Sequence, residues 1–292
     1  MLVAMTAAEV SGVNSPIKWA GGKSRLRKKI IPLIPPHTCY VEPFGGGGWV
    51  LFGKPPSQVE VYNDLDGELV NFFRVVKDRP QALINAFAWE LVSRERFESL
   101  AGADLSRLSE VERAHRFFYL IMAGWGGEGA YPRMQTSITD GGGGNRLIGA
   151  LKTLEKRIRP VHDRLRGVIV EHMDWPEVVN RYDSPTTVFY VDPPYPGNGV
   201  NYRHNMKSWE AHERLAARLA EAQGKWIVSS YDRPEIRRLY GGQHVVSVES
   251  ASGMATADGG ASRVKNREIL VLNFEPSERQ RAAAGVQDML LG

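Results

Sequence analysis

Asp192-Pro193-Pro194-Tyr195 closes a short apolar run, Val188-Phe189-Tyr190-Val191. That run is β-branched and aromatic and bounded by turn residues, which predicts a buried parallel strand. Two prolines stop the strand and cannot start a helix at once. The Asp192 carboxylate and the Pro193 carbonyl are therefore left at the carboxyl edge of a sheet. Open α/β sheets place their ligands at that edge. Two acceptors followed by an aromatic ring suit a planar base with an exocyclic amine: the acceptors take the two amine hydrogens, and Tyr195 stacks on the ring. The plainer alternative is that the tetrapeptide only ends a strand.

A second group is Glu42-Pro43-Phe44-Gly45-Gly46-Gly47-Gly48, where a strand meets the next element. Glycines there let the backbone approach a ligand closely. The run is no dinucleotide fingerprint, because Val50 stands where the third glycine is required, but it fits Phe-x-Gly-x-Gly at Phe44, Gly46 and Gly48. The next strand ends in Asn63-Asp64, and a carboxylate at that point is placed to accept from a ribose diol. A third group, Lys18-Trp19-Ala20-Gly21-Gly22-Lys23-Ser24, invites a phosphate-loop reading. That reading fails, since Ile17 stands where a glycine is needed and no strand precedes it. What remains is either a solvated basic helix start or Trp19 and Lys23 set against a cofactor, with Lys28 and Lys29 free for phosphates.

Strands alternating with helices must position these groups. Strands are predicted at Thr38–Glu42, Val59–Asn63, Gly167–Glu171, Val188–Val191, Trp226–Ser229, His244–Glu249 and Glu268–Phe274. A helix follows Asp66, and others cover Trp175–Arg181, Ser208–Ala222 and Pro234–Tyr240. From Pro80 to Pro160 the strand signal disappears, and helices are predicted at Ala82–Leu91, Arg94–Leu100, Glu110–Met122 and Leu147–Arg159. This pattern predicts an α/β parallel-sheet domain carrying a helical insert. The boundaries are a flexible tail at 1–14, a discontinuous sheet domain at 15–78 and 166–275, the insert at 79–165, and a C-terminal tail at 276–292.

The 292 residues, 42% hydrophobic and 24% charged, suit one or two globular domains. No apolar run is long enough to span a membrane, and Met1–Asn14 lacks the basic start of a signal peptide, so a cytoplasmic protein is expected. Cys39 is the only cysteine, which excludes an internal disulfide and a cysteine-clustered zinc site. No His, Asp or Glu grouping has metal-ligand spacing, so no metal is expected. His212 lies in an amphipathic helix and reads as structural. The net charge of +4 is compatible with nucleic acid without requiring it.

Taken in order, Lys18–Lys23, Val41–Gly48, Asn63-Asp64 and Val191–Tyr195 resemble the Dam-type, class alpha DNA adenine-N6 methyltransferases, over most of Pro16–Phe274. The resemblance implies a Rossmann-like sheet of seven strands with the last inserted antiparallel, S-adenosylmethionine as cofactor, and an inserted, mainly helical target-recognition domain. It implies Trp19, Lys23, Asp64 and Asp192 at the cofactor, the Phe44–Gly48 loop beneath its methionine moiety, and Asp192, Pro193, Pro194 and Tyr195 at the flipped target base. A bacterial or phage-encoded enzyme acting on double-stranded DNA is implied, inside or outside a restriction-modification pair. Aspartate as the first residue of the tetrapeptide favours adenine. The alternatives are the cytosine N4 amine and a catalytically silent DNA-binding protein of the same fold.

The insert is the expected reader of DNA. Its arginines Arg94, Arg96, Arg107, Arg113 and Arg116 are interleaved with aromatics at helical spacing, which read mostly as core. The better candidates are Trp125, Tyr131, Arg133, Gln135 and Arg146, since arginine and glutamine suit the edges of guanine and adenine. Arg263 and Lys265 are expected at phosphates. Family members commonly carry an asparagine-rich loop where this chain has Ala123-Gly124-Trp125-Gly126-Gly127-Glu128-Gly129, a departure that speaks against carrying over a GATC target.

Overall fold

The strands of the chain are short, and most of their residues are buried. The computed structural model describes residues 12–124, 133–135, 146–196, 203–204, 206, 208–248 and 267–286. Helix α1 (Arg27–Ile30) and a 3-10 turn (Ile31–Leu33) lead to β1 (Cys39–Glu42), α2 (Trp49–Gly53), β2 (Val59–Asn63) and α3 (Gly67–Asp78). The insert holds α4 (Pro80–Ala86), α5 (Arg94–Ala101), α6 (Glu110–Ala123), α7 (Arg146–Leu151) and α8 (Leu154–Leu165). Then come β3 (Val168–Glu171), α9 (Trp175–Tyr182), β4 (Thr187–Val191), α10 (Trp209–Ala220) and β5 (Lys225–Tyr231). The chain continues with α11 (Pro234–Leu239), β6 (His244–Val248), β7 (Glu268–Leu272) and α12 (Glu278–Ala284).

The sheet order is β3-β2-β1-β4-β5-β7-β6, parallel except for β7, which runs antiparallel between β5 and β6. This is the seven-stranded sheet implied by the resemblance. The order reverses between β1 and β4, so the loops after those two strands diverge and leave a crevice at their carboxyl edge. Because β7 runs the other way, its first residue, Glu268, lies at that same edge, opposite Tyr231 of β5 and Val248 of β6.

Local sequence explains the main supports. Asp66 caps α3, its side chain accepting from the Glu68 and Leu69 N–H groups at 3.0 and 3.4 Å, a cap of about 1 kcal/mol. Ser109 and Glu112 form a capping box on α6. Every residue of α6 from Ala114 to Ala123 is buried, between α3, α4, α5 and α7, so the insert shares one core with that face of the sheet. At the opposite, amino edge Glu60 of β2 accepts from Lys54 at 2.5 Å and from Arg164 at 2.5 and 2.7 Å, pinning α8 to the sheet.

Four features differ from expectation. The helix predicted over Ala82–Leu91 stops at Ala86, because Glu90 turns inward to Arg96 and His115 and leaves Trp89 97% exposed. The helix predicted over Leu147–Arg159 breaks at Lys152–Thr153, where the Thr153 hydroxyl donates to Gly149 and Ala150 carbonyls. It then runs through Pro160, a residue that costs an interior helix about 3 kcal/mol; buried Ile158, Val161 and Leu165 hold it there. Past residue 275 the chain forms α12, whose Gln280 amide donates to the Leu33 carbonyl at 3.1 Å. Val13 and Asn14, within the expected N-terminal tail, accept from the Arg27 guanidinium at 3.1 and 2.6 Å.

Candidate active site

The loop after β1 is shaped by its neighbours. Gly46 has φ +48, and a Cβ there would lie 3.0 Å from the Trp19 indole, so the loop packs closely on Trp19. Gly48, at φ +66, makes the left-handed entry to α2. Asp64 closes the loop from the next strand: its carboxylate accepts from the Gly46 N–H at 2.8 Å and the Asp66 N–H at 2.9 Å. Burial pushes this carboxyl up to about 6, against the pull of those two peptide donors. Asn63, just before it, joins three loops at the edge by donating to the Pro43 and Met173 carbonyls and accepting from the Met173 N–H. Phe44 rests on Trp175, ring centroids 6.4 Å apart, forming an apolar wall beside the loop.

The titration of Asp64 gives a pH prediction. If the ionised carboxylate accepts from a ribose diol, as the sequence reading expects, S-adenosylmethionine affinity should be flat well above pH 6. Affinity should fall below about pH 6, by at most about tenfold per unit. Asp64→Asn should bind more weakly with no such acid limb. Calorimetric titrations between pH 5 and 8 check this, and a wild-type affinity that stays level through the acid range contradicts it.

At the end of β4, half-buried Asp192 and buried Tyr195, Lys23 and Glu268 form one cluster. Lys23 Nζ lies 2.8 Å from Asp192 Oδ1, donates to the Gly21 carbonyl at 2.9 Å, and sits 4.9 Å from the centre of the Tyr195 ring. The Tyr195 hydroxyl lies 3.1 Å from the same Asp192 oxygen and 3.2 Å from Glu268 Oε2, with its ring edge-on to Tyr231. Burial pushes the Asp192 carboxyl up despite Lys23. Burial works against the Lys23 charge, yet Asp192 and Glu268 hold it above the usual lysine range. Among the described residues nothing donates to Asp192 Oδ2 or to the Pro193 carbonyl. The sequence reading set Lys23 against the cofactor; what its ammonium meets in the structure is Asp192. His212 is buried, with its ring against the carbonyls of Met206 at 2.9 Å and of Pro194, so it braces the tetrapeptide's loop.

Of the residues expected at DNA, Lys28 is exposed and Lys29 half-buried on α1, and Arg133 is exposed. Arg146 donates to Gln135 Oε1 at 2.7 Å and to the Gly124 carbonyl at 2.9 Å, clasping the two ends of the insert's long loop. Burial, and then the charge of Arg146, lower the Lys18 ammonium below the usual lysine range, so two cations share this rim. Trp125, Tyr131, Arg263 and Lys265 lie outside the described residues. The helical arginines are more committed than a solvated face: Arg113 binds Glu68 at 3.0 Å, and Arg116 donates to the Leu100 and Ala101 carbonyls. Sequence reasoning missed Glu268 and Trp175, and gave no role to Lys18 and Asn63 within the motifs it named. For Glu268 the available signal was a charge opening an otherwise apolar strand.

The strand order, with β7 antiparallel, is that of the Rossmann-like methyltransferases, and the cluster lies at the edge where that class of sheet holds its ligands. Residues 19–254 match the family described as D12 class N6 adenine-specific DNA methyltransferase, and the chain belongs to that family. It is similar to a type II methyltransferase of Lactococcus lactis subsp. cremoris, 29% identical over 278 residues, covering 88% of this chain and 94% of the relative. It is also similar to a DNA adenine methylase of Vibrio cholerae, 27% identical, covering 89% and 95%. A DNA N-6-adenine-methyltransferase of Escherichia phage P1 is 25% identical, over 78% of this chain and 31% of the phage protein. The family favours adenine over the cytosine amine, and an enzyme over a silent binder. Among the described residues no helix is long and apolar enough to cross a membrane, and no group of three or more metal-ligand side chains occurs.

Proposed function

We propose that the crevice between the loops after β1, β2 and β4 holds S-adenosylmethionine beside an adenine flipped out of double-stranded DNA. The enzyme methylates the N6 amine of that adenine at a specific sequence. The observation that carries this reading is the state of Asp192. Lys23 Nζ and the Tyr195 hydroxyl both lie within hydrogen-bond distance of Oδ1, while Oδ2 and the Pro193 carbonyl accept from none of the described residues. An aromatic amine is a poor nucleophile because its lone pair is delocalised into the ring. Hydrogen bonds from its two hydrogens to these acceptors favour a pyramidal nitrogen with its lone pair directed outward. This is orientation and electrostatic preorganisation, with about 3 kcal/mol of barrier per well-placed group.

The residues present fit the cofactor. A loop whose backbone is strained for any side chain at Gly46, the half-buried Asp64 carboxylate and the Phe44–Trp175 wall suit its methionine part, ribose and purine in turn. When bound, S-adenosylmethionine supplies a methyl group already made electrophilic by its sulfonium. No residue of the chain has to form a covalent bond, which agrees with a site that lacks cysteine. A base inside a duplex cannot reach these groups, so flipping is required. The test is incorporation of labelled methyl into unmodified DNA by wild type but not by Asp192→Ala. Label transferred equally by both would remove Asp192 from the chemistry.

We assign sequence reading to the insert and phosphate contact to Lys28, Lys29, Arg263 and Lys265. The rim pair Lys18 and Arg146, with exposed Arg133 nearby in the chain, supports an anionic partner at the mouth of the insert. Two phenotypes should separate. Lys28→Ala should weaken all DNA alike and reduce the slope of log affinity against log salt by about 1. Arg133→Ala should cost about 1–3 kcal/mol on the preferred site and relax one position of it. Methylation-sensitive sequencing of modified plasmid reads the second effect. An unchanged site preference in variants of Trp125, Tyr131, Arg133, Gln135 and Arg146 would make the insert a structural cover instead.

A further inference from the structure

Glu268 carries a role that neither the catalytic tetrapeptide nor the cofactor loop accounts for. It opens β7, and only the antiparallel direction of that strand brings its first residue to the carboxyl edge, opposite Tyr231. The residue is buried at 8% exposure, in a place where a carboxylate is costly unless held. Its Oε2 lies 3.2 Å from the Tyr195 hydroxyl and 3.9 Å from Lys23 Nζ. Asp192 Oδ1 lies 3.1 and 2.8 Å from the same two groups. Two carboxylates thus share one ammonium and one phenol.

A phenol has a single proton, so it donates to one carboxylate at a time, and Lys23 serves the other. With Glu268 in place, Tyr195 is tied at its hydroxyl and its ring is fixed against Tyr231. Lys23 is also drawn between two anions, so it does not pair with Asp192 alone. We propose that Glu268 is a positioning residue for methyl transfer. It fixes the ring plane of Tyr195 and the place of Lys23, so that Asp192 keeps Oδ1 inward and Oδ2 toward the base. This rests on Asp192 and Tyr195 being the groups that hold the base.

The test compares Glu268→Gln, Tyr195→Phe and the double variant, each checked for a wild-type melting temperature, in single-turnover methylation of unmodified DNA. Glu268→Gln should slow the single-turnover step about 10–100-fold, as expected for misplacement of a reacting group. Its affinities for S-adenosylmethionine and DNA should stay within about threefold of wild type, separating a turnover effect from a binding effect. The double variant should be no more than about threefold slower than the worse single, because both substitutions break one cluster. Tyr195→Phe alone carries the same comparison if Glu268→Gln lowers the melting temperature, since it removes the hydroxyl without changing a charge. A wild-type single-turnover rate in Glu268→Gln, or losses that multiply in the double variant, overturns the proposal while leaving the methyltransferase reading intact. If wild type itself places no methyl on adenine, the proposal falls with that reading.

Discussion

Asp192→Ala should lower the rate of methyl transfer about 10³-fold, the cost expected for removing one preorganised polar group from the reacting centre. The substitution takes away the Oδ2 acceptor and, in the same stroke, the partner of Lys23 at 2.8 Å. A buried ammonium left without its ion-pair partner costs several kcal/mol in general. Here the Gly21 carbonyl at 2.9 Å and Glu268 at 3.9 Å remain, so the fold should survive. Asp192→Asn keeps an oxygen for Lys23 but turns a donor toward the amine, so its rate should fall about as far as that of alanine. Rapid-quench single turnovers with saturating cofactor measure this. A rate within tenfold of wild type in Asp192→Ala would show that the amine is oriented by other groups.

Asp64→Ala should weaken S-adenosylmethionine binding by about 1.5–3 kcal/mol, the range for losing a hydrogen bond to a charged group. Two effects add. The ribose loses its acceptor, and the Gly46 N–H loses the carboxylate that holds the glycine loop against Trp19. Tyr195→Ala should behave in the opposite way, leaving cofactor affinity near wild type and slowing turnover, since the proposed function puts its ring against the base. Calorimetry on both variants distinguishes them. Unchanged cofactor affinity in Asp64→Ala would remove the end of β2 from the cofactor site.

Much of the sheet could be read from local pattern because its strands are short apolar runs ended by informative residues. Val59–Asn63 matches its predicted bounds, and the pair of prolines after Val191 marks the end of β4 within a residue. Periodicity could not foresee events governed by a single distant contact. The inward turn of Glu90 toward His115 shortened α4, and packing of Ile158, Val161 and Leu165 carried α8 through Pro160. The site divides in the same manner. Trp19, Lys23, Gly46, Asp64, Asp192 and Tyr195 were legible because each belongs to a local motif. Glu268 was not, because its meaning depends on β7 running antiparallel between two parallel strands, which brings a residue 76 positions beyond Asp192 to the same edge. Gln135 and Arg146 were read as separate groups facing DNA, whereas the structure bonds them to each other.

The identity of the methylated nucleoside tests the central claim most directly. Wild-type protein is incubated with labelled S-adenosylmethionine and unmodified double-stranded DNA, and the DNA is digested to nucleosides and separated. The account predicts label in N6-methyladenosine of the deoxy series and in no other nucleoside. Label in N4-methylcytosine, or none in any DNA offered, would contradict it.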